Sequence, residues 1–228
     1  GHTSLGADAA REAFDRLAPI INVDHLETTS LNGQWNVIVD PYEAGFYNYR
    51  YVEYGDTDKH FKRAAKAKDK SALLEYDFDT GDTLQVPGDW NTQDDRFFFY
   101  EGTIWYKQEF DYDLEAGKRL FVYFGAVNYE AIVYLNGELL GMHQGGFTPF
   151  SFEISDKVKP TGNKLVVKVD NTRLPSAIPT MMSDWWNYGG ITRRVLLIEE
   201  ESTFIRDYKV QLKKDSMDRI AGWVQLDG

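Results

Sequence analysis

The run "SDWWNYGGITRRV" at 183–195 concentrates side chains that an ordinary strand does not need. Asp184 supplies a carboxylate, an acceptor with about four lone-pair sites. Trp185 and Trp186 follow directly, and because successive side chains of an extended segment alternate, they cannot both face one way. One of them is expected to pack in a core or against a neighbouring domain, since large aromatics dominate both. Asn187 and Tyr188 can orient the segment through side-chain hydrogen bonds, while Gly189 and Gly190 allow a close approach that a Cβ would block. A plainer role for Asp184 stays open. It can cap a turn or pair with Arg193 or Arg194, because short Asp side chains favour such local bonding.

The elements that must position this run read as short strands. "TIWYKQEFDYDL" (103–114) predicts a strand whose two faces are not cleanly apolar and polar. "RLFVYFGAV" (119–127) is nearly continuous in apolar residues, as in a strand covered on both faces. In "EAIVYLNGELLGMH" (130–143), Asn136-Gly137 suits a two-residue type I′ hairpin turn. "NKLVVKVDN" and "RRVLLIEE" add further strands, and strands this closely spaced predict an all-β, antiparallel sandwich of jelly-roll type. Two helices are expected outside it: an arm at 7–17 and a solvated Lys- and Ala-rich insertion at 59–76. After Glu201 one strand (204–213) and part of another (220–226) follow, too little for a domain, so the chain is expected to stop inside a second β-domain. In "HQGGFTPF" (143–150), His143 reads as a structural residue, Gly145 and Gly146 as a bend, and Phe147 and Phe150 as core or inter-domain packing. "VPGDWN" (86–91) reads as a turn with Trp90 packed.

Composition narrows the chemistry. A formal net charge of −11 argues against a nucleic-acid surface and against anionic membranes, and no apolar run approaches the ~20 residues of a membrane-spanning helix. With no cysteine there is no disulfide, thiolate metal site or cysteine nucleophile. The four histidines lack metal-ligand spacing, "DFDTGD" (77–82) fits a turn better than a calcium loop, and neither a P-loop nor a nucleophile elbow occurs. No metal or cofactor is therefore expected. The chain opens on Gly1 rather than Met, so an export signal lost from its start is compatible with it, and localisation stays open between periplasm and cytoplasm.

"VPGDW" (86–90), "YEGTIWYKQEF" (100–110), "AIVYLNGELLGMHQGGFTPFSFEIS" (131–155) and "SDWWNYGGITRRV" together resemble the N-terminal sugar-binding domain of glycoside hydrolase family 2. The resemblance spans roughly residues 28–200; "HQGGFTPF" and "NYGGI" look most like the β-glucuronidase branch, and the insertion around 55–80 departs from the pattern. It implies an N-terminal arm (1–27), a galactose-binding-domain-like jelly roll (28–200) and the first strands of an immunoglobulin-like sandwich (201–228). It also implies a (β/α)₈ barrel beyond this chain, holding both catalytic glutamates of a retaining exo-β-glycosidase, so that no catalytic residue is expected here. The substrate so implied is a β-glucuronide or β-galactoside. Asp184 would then hydrogen-bond hydroxyls of the terminal sugar, a pair of which its carboxylate suits, with Trp185, Trp186, Asn187 and Tyr188 around it. Arg193 would be a structural anchor. The partners implied are a terminal β-linked carbohydrate and covalently continuous C-terminal domains, and a homo-oligomer is compatible. Two rivals remain at this point: a stand-alone carbohydrate-binding module without hydrolase activity, and a purely structural domain.

Overall fold

The computed structural model describes residues 19–43, 78–79, 81–173, 175, 186–214 and 216–228. The helices expected at 7–17 and 59–76 lie outside the described residues. In chain order the strands begin with β1 (Glu27–Ser30), β2 (Gly33–Val39), β3 (Asp82–Val86), β4 (Thr103–Phe110) and β5 (Arg119–Phe124). They continue with β6 (Val127–Asn128), β7 (Glu130–Leu135), β8 (Glu138–Gln144), β9 (Phe150–Glu153) and β10 (Asn163–Asp170). The last are β11 (Gly190–Ile191), β12 (Val195–Glu200), β13 (Phe204–Leu212) and β14 (Ile220–Asp227).

A four-stranded sheet, β1-β12-β5-β9, and a six-stranded sheet, β3-β2-β4-β10-β7-β8, form an antiparallel sandwich. The core lies between them. Trp35, Ile104, Tyr106, Val133 and Val167 from the larger sheet meet Leu120, Val122, Phe124 and Leu197 from the smaller. The continuous apolar run of β5 has its explanation in the odd residues: Phe121 and Tyr123 point the other way, into a second cluster with Ile20, Val23 and Phe204. β4 behaves alike, with Trp105 turned outward against Ile38, Tyr134 and Val166. Among the described residues each buried indole finds an acceptor, as a polar N–H in an apolar core must. Trp35 donates to the Leu31 carbonyl at 2.8 Å, Trp90 to that of Tyr100 at 3.2 Å and Trp105 to Asp40 at 3.0 Å.

The β7–β8 hairpin turns at Asn136 (φ 51°) and Gly137 (φ 84°), both left-handed as the type I′ turn requires. The β13–β14 hairpin pairs only with itself and is tied to the sandwich at one end. There Arg119 clasps Glu153 through Nε (2.9 Å) and Nη2 (2.7 Å) and reaches Asp227 through Nη1 at 2.9 Å. The Arg119 guanidinium holds the Glu153 carboxyl below the usual carboxylate range. Of the two placements expected for Phe147, the core of this sandwich is not the one it takes. It sits at a turn after Gly145 (φ 130°) and is 68% exposed, whereas Phe150 is buried against Phe124.

His143 is buried, its ring stacked on Phe150 with centroids 4.2 Å apart and its Nε2 lying 3.1 Å from Thr148 Oγ1. Burial pushes its pKa down from the ordinary 6.5 to about 4. The unfolded chain therefore binds the proton more readily than the folded one. The stability linked to this group is complete above pH 6.5 and is lost as the pH falls towards 4. The urea midpoint should fall between pH 7 and pH 5 by more in the parent protein than in His143→Gln, and equal falls would contradict this assignment.

Candidate functional site

The site is built where several strands end. Asn128 closes β6, Asn171 follows β10, and Asn187 precedes β11. A fourth amide, Asn91, lies in the loop after β3, next to the buried Trp90. The four interlock. Asn187 donates through Nδ2 to the Asn171 carbonyl, and Asn171 Nδ2 returns a bond to the Asn187 carbonyl at 3.0 Å. Asn128 Nδ2 donates to Asn187 Oδ1 at 2.9 Å and also to the Tyr188 carbonyl. Asn91 Oδ1 accepts from Gly189 N–H at 2.9 Å, and its Nδ2 donates to the carbonyls of Phe97, Phe98 and Tyr100 at 3.0, 3.3 and 3.2 Å. Asn171 Oδ1 takes the Gly102 N–H at 2.9 Å. Backbone bonds from Trp90 N–H to the Gly189 carbonyl and from Gly88 N–H to that of Ile191, both 2.9 Å, complete the seam. Gly189 is required here, because a Cβ would lie 2.1 Å from the Trp90 ring.

The loop after β3 also contains the short 3₁₀ turn Asp95–Phe97, capped by Asp94, whose side chain accepts the Arg96 N–H at 2.9 Å. In "RFFFY" (96–100) four consecutive aromatics follow Arg96, and such a tight turn cannot bury them all. Phe97 and Tyr100 pack towards the core, while Phe98 and Phe99 are exposed, Phe99 at 81%. Their rings meet Trp186: centroids lie 4.9 Å from Phe98 and 5.8 Å from Phe99, and Tyr188 adds a fourth ring at 6.2 Å. Behind this ridge is a cleft of about 130 Å³, flanked by an ion pair between Arg173 Nε and Glu101 at 2.8 Å. Complete small-molecule sites run to roughly 300–1,000 Å³, so this cleft holds part of a ligand only. Tyr100 donates its hydroxyl to the Thr103 carbonyl at 2.8 Å, and burial pushes its phenol above the usual range.

Of the residues singled out from sequence, Asp184 and Trp185 lie outside the described residues. Trp186 is 41% exposed and Tyr188 is half-exposed beside it. Asn187 takes the orienting role expected of it rather than an exposed position. It is 5% exposed, with both ends of its amide held by protein, so it orients the segment. Arg193 donates to the Phe147 carbonyl at 3.5 Å, in keeping with an anchor, and Arg194 pairs with Asp24 at 2.6 Å. Sequence reasoning passed over Asn91, Asn128, Asn171, Phe98 and Phe99. The available signal was the aromatic run at 97–100, too many rings for one buried face. Among the described residues no group of three or more His, Asp or Glu side chains could hold a metal ion.

The family model described as glycosyl hydrolases family 2, sugar binding domain, matches residues 28–201. The chain is 37% identical over 136 residues to a β-glucuronidase of Bacteroides fragilis, an alignment covering 55% of this chain and 19% of that protein. It is 31% identical over 165 residues to a β-galactosidase of Thermoanaerobacter pseudethanolicus, covering 68% of this chain and 22% of the relative. Among solved structures, a β-glucuronidase of Lactobacillus rhamnosus superposes with a TM-score of 0.70 at 26% identity, covering 93% of this chain and 35% of that one. The chain thus spans about a third of that solved relative and about a fifth of those curated ones.

Loss of the Asn187 amide strands buried partners on Asn128 and Asn171, whereas loss of the Trp186 ring removes a partly exposed side chain. Asn187→Ala should cost about 1–3 kcal/mol and Trp186→Ala about 0.5 kcal/mol or less, as measured by urea unfolding. Equal losses would show that the amides do not anchor the segment.

Proposed function

This chain belongs to glycosyl hydrolases family 2 as a sugar binding domain, and from that premise we propose that it forms the sugar-facing N-terminal part of a retaining exo-β-glycosidase. The observation that carries the reading is the amide seam. It fixes the segment directly after Asp184 and Trp185 at one edge of the sandwich, with the Trp186 and Tyr188 rings turned outward. On this reading Asp184 accepts hydrogen bonds from neighbouring hydroxyls of the terminal sugar, and Trp185 and Tyr188 complete that wall. A β-glucuronide is favoured over a β-galactoside, because relatives named β-glucuronidase recur in both sequence and structure comparisons.

Bond cleavage is assigned to the remainder of the enzyme. A retaining mechanism needs two carboxyl groups about 5–5.5 Å apart across the glycosidic bond, and on this reading a barrel domain outside these residues supplies them. The β13–β14 hairpin supports the expected immunoglobulin-like continuation of a jelly-roll domain. Tyr208, Val210, Leu212, Ile220, Trp223 and Val224 are all exposed, and a two-stranded hairpin with bare apolar side chains calls for further strands to cover it.

Asp184→Ala, made in the intact enzyme, should lower kcat/KM for a β-glucuronide by about 10- to 150-fold, the equivalent of roughly 1.5–3 kcal/mol for a charge-assisted contact. The thermal midpoint should stay within a degree or two. Unchanged kinetics would remove Asp184 from the sugar site.

A further inference from the structure

The outward rings at the site form a surface of unusual chemistry. Phe98, Phe99 and Trp186 lie within 4.8–5.8 Å of one another, centroid to centroid, and all are exposed. They come from two segments far apart in sequence, brought together by the Asn91 and Gly189 bond. A sugar hydroxyl at this ridge would need polar partners, and the two buried amides nearby are already engaged. Asn91 serves three carbonyls and one N–H and Asn187 is held at both ends, while Glu101 is committed in part to Arg173. What the ridge offers is ring faces and edges beside a cleft of about 130 Å³, contiguous with the segment that follows Asp184.

We propose that Phe98, Phe99 and Trp186 form a subsite for a flat, apolar aglycone, the leaving group of the glycoside rather than its sugar. This rests on the reading of the chain as the sugar-facing part of a glycosidase. The aglycone stacks on the ridge, and the hydroxyl-bearing ring extends away from it. Rings set at 44–88° to one another suit tilted and edge-to-face contacts with an aromatic group, which aromatic pairs favour. Phe99 is the member to probe, because its exposure lets it be removed without opening the core.

The experiment titrates the 228-residue chain with phenyl β-D-glucuronide, methyl β-D-glucuronide and phenol, followed by saturation-transfer NMR, in the parent protein and in Phe99→Ala. The phenyl glycoside should bind roughly threefold to tenfold tighter than the methyl glycoside, with phenol competing, as an added aromatic contact implies. That advantage should disappear in Phe99→Ala while its urea midpoint stays unchanged. Equal binding of the two glycosides would overturn the aglycone subsite and leave the sugar reading standing. An advantage that survives Phe99→Ala, or no binding of any probe, would also overturn the subsite. The sugar reading would then be judged separately by the kinetics of Asp184→Ala.

Discussion

A buried amide must have both ends occupied, or the fold bears the desolvation cost of the idle group, about 1–3 kcal/mol. Asn187 meets that constraint only with Asn128 and Asn171 in place, and Gly189 next to it is held by Asn91. The rest of the site depends on this mutual requirement. The segments at β6, after β10 and before β11 converge here because Asn128, Asn171 and Asn187 bond to one another, with only Asn128 Oδ1 left without a partner, and the loop after β3 is drawn in as the fourth member. The Trp90 ring fills the space that Gly189 leaves open, so the polar seam and the apolar core are closed by the same pair of segments.

The core makes this arrangement affordable in packing terms. β4 and β5 bury side chains on both faces, one set between the sheets and the other in the outer clusters. With aromatic area committed on three levels, the exposed rings among the described residues cluster in two places, with Tyr42 and Phe147 standing apart from both. One is the ridge of Phe98, Phe99 and Trp186, and the other is the β13–β14 hairpin. The two differ in kind. The ridge is compact and backed by a cleft, as suits a small ligand, whereas the hairpin is extended and bare along its length, as suits further strands.

Much of the fold was legible in the sequence because strand signals are local. The Asn136-Gly137 turn, the doubly covered run of β5 and the restart after Glu201 all follow from neighbouring residues alone. The candidate site was legible only in part. "SDWWNYGGITRRV" announces itself through residue types, yet whether Asn187 touches a ligand or its own protein depends on Asn171 and Asn128, 16 and 59 residues away. Phe98 and Phe99 were passed over for a related reason. Next to Phe97 and Tyr100 they look like core, and only the geometry of the 3₁₀ turn sorts the inward rings from the outward ones. Phe147 was open in the same way, since a phenylalanine between two glycines and a proline carries no mark of which side of the turn it will occupy.

The seam has one more property. Its side chains are amides, which carry no formal charge and do not titrate, so neither ionic strength nor acidity acts directly on the bonds that hold the segment. Whatever salt or proton dependence ligand affinity displays must then arise from carboxylates, guanidinium groups or the ligand itself. The mount stays the same across buffers, and its charged neighbours answer to them.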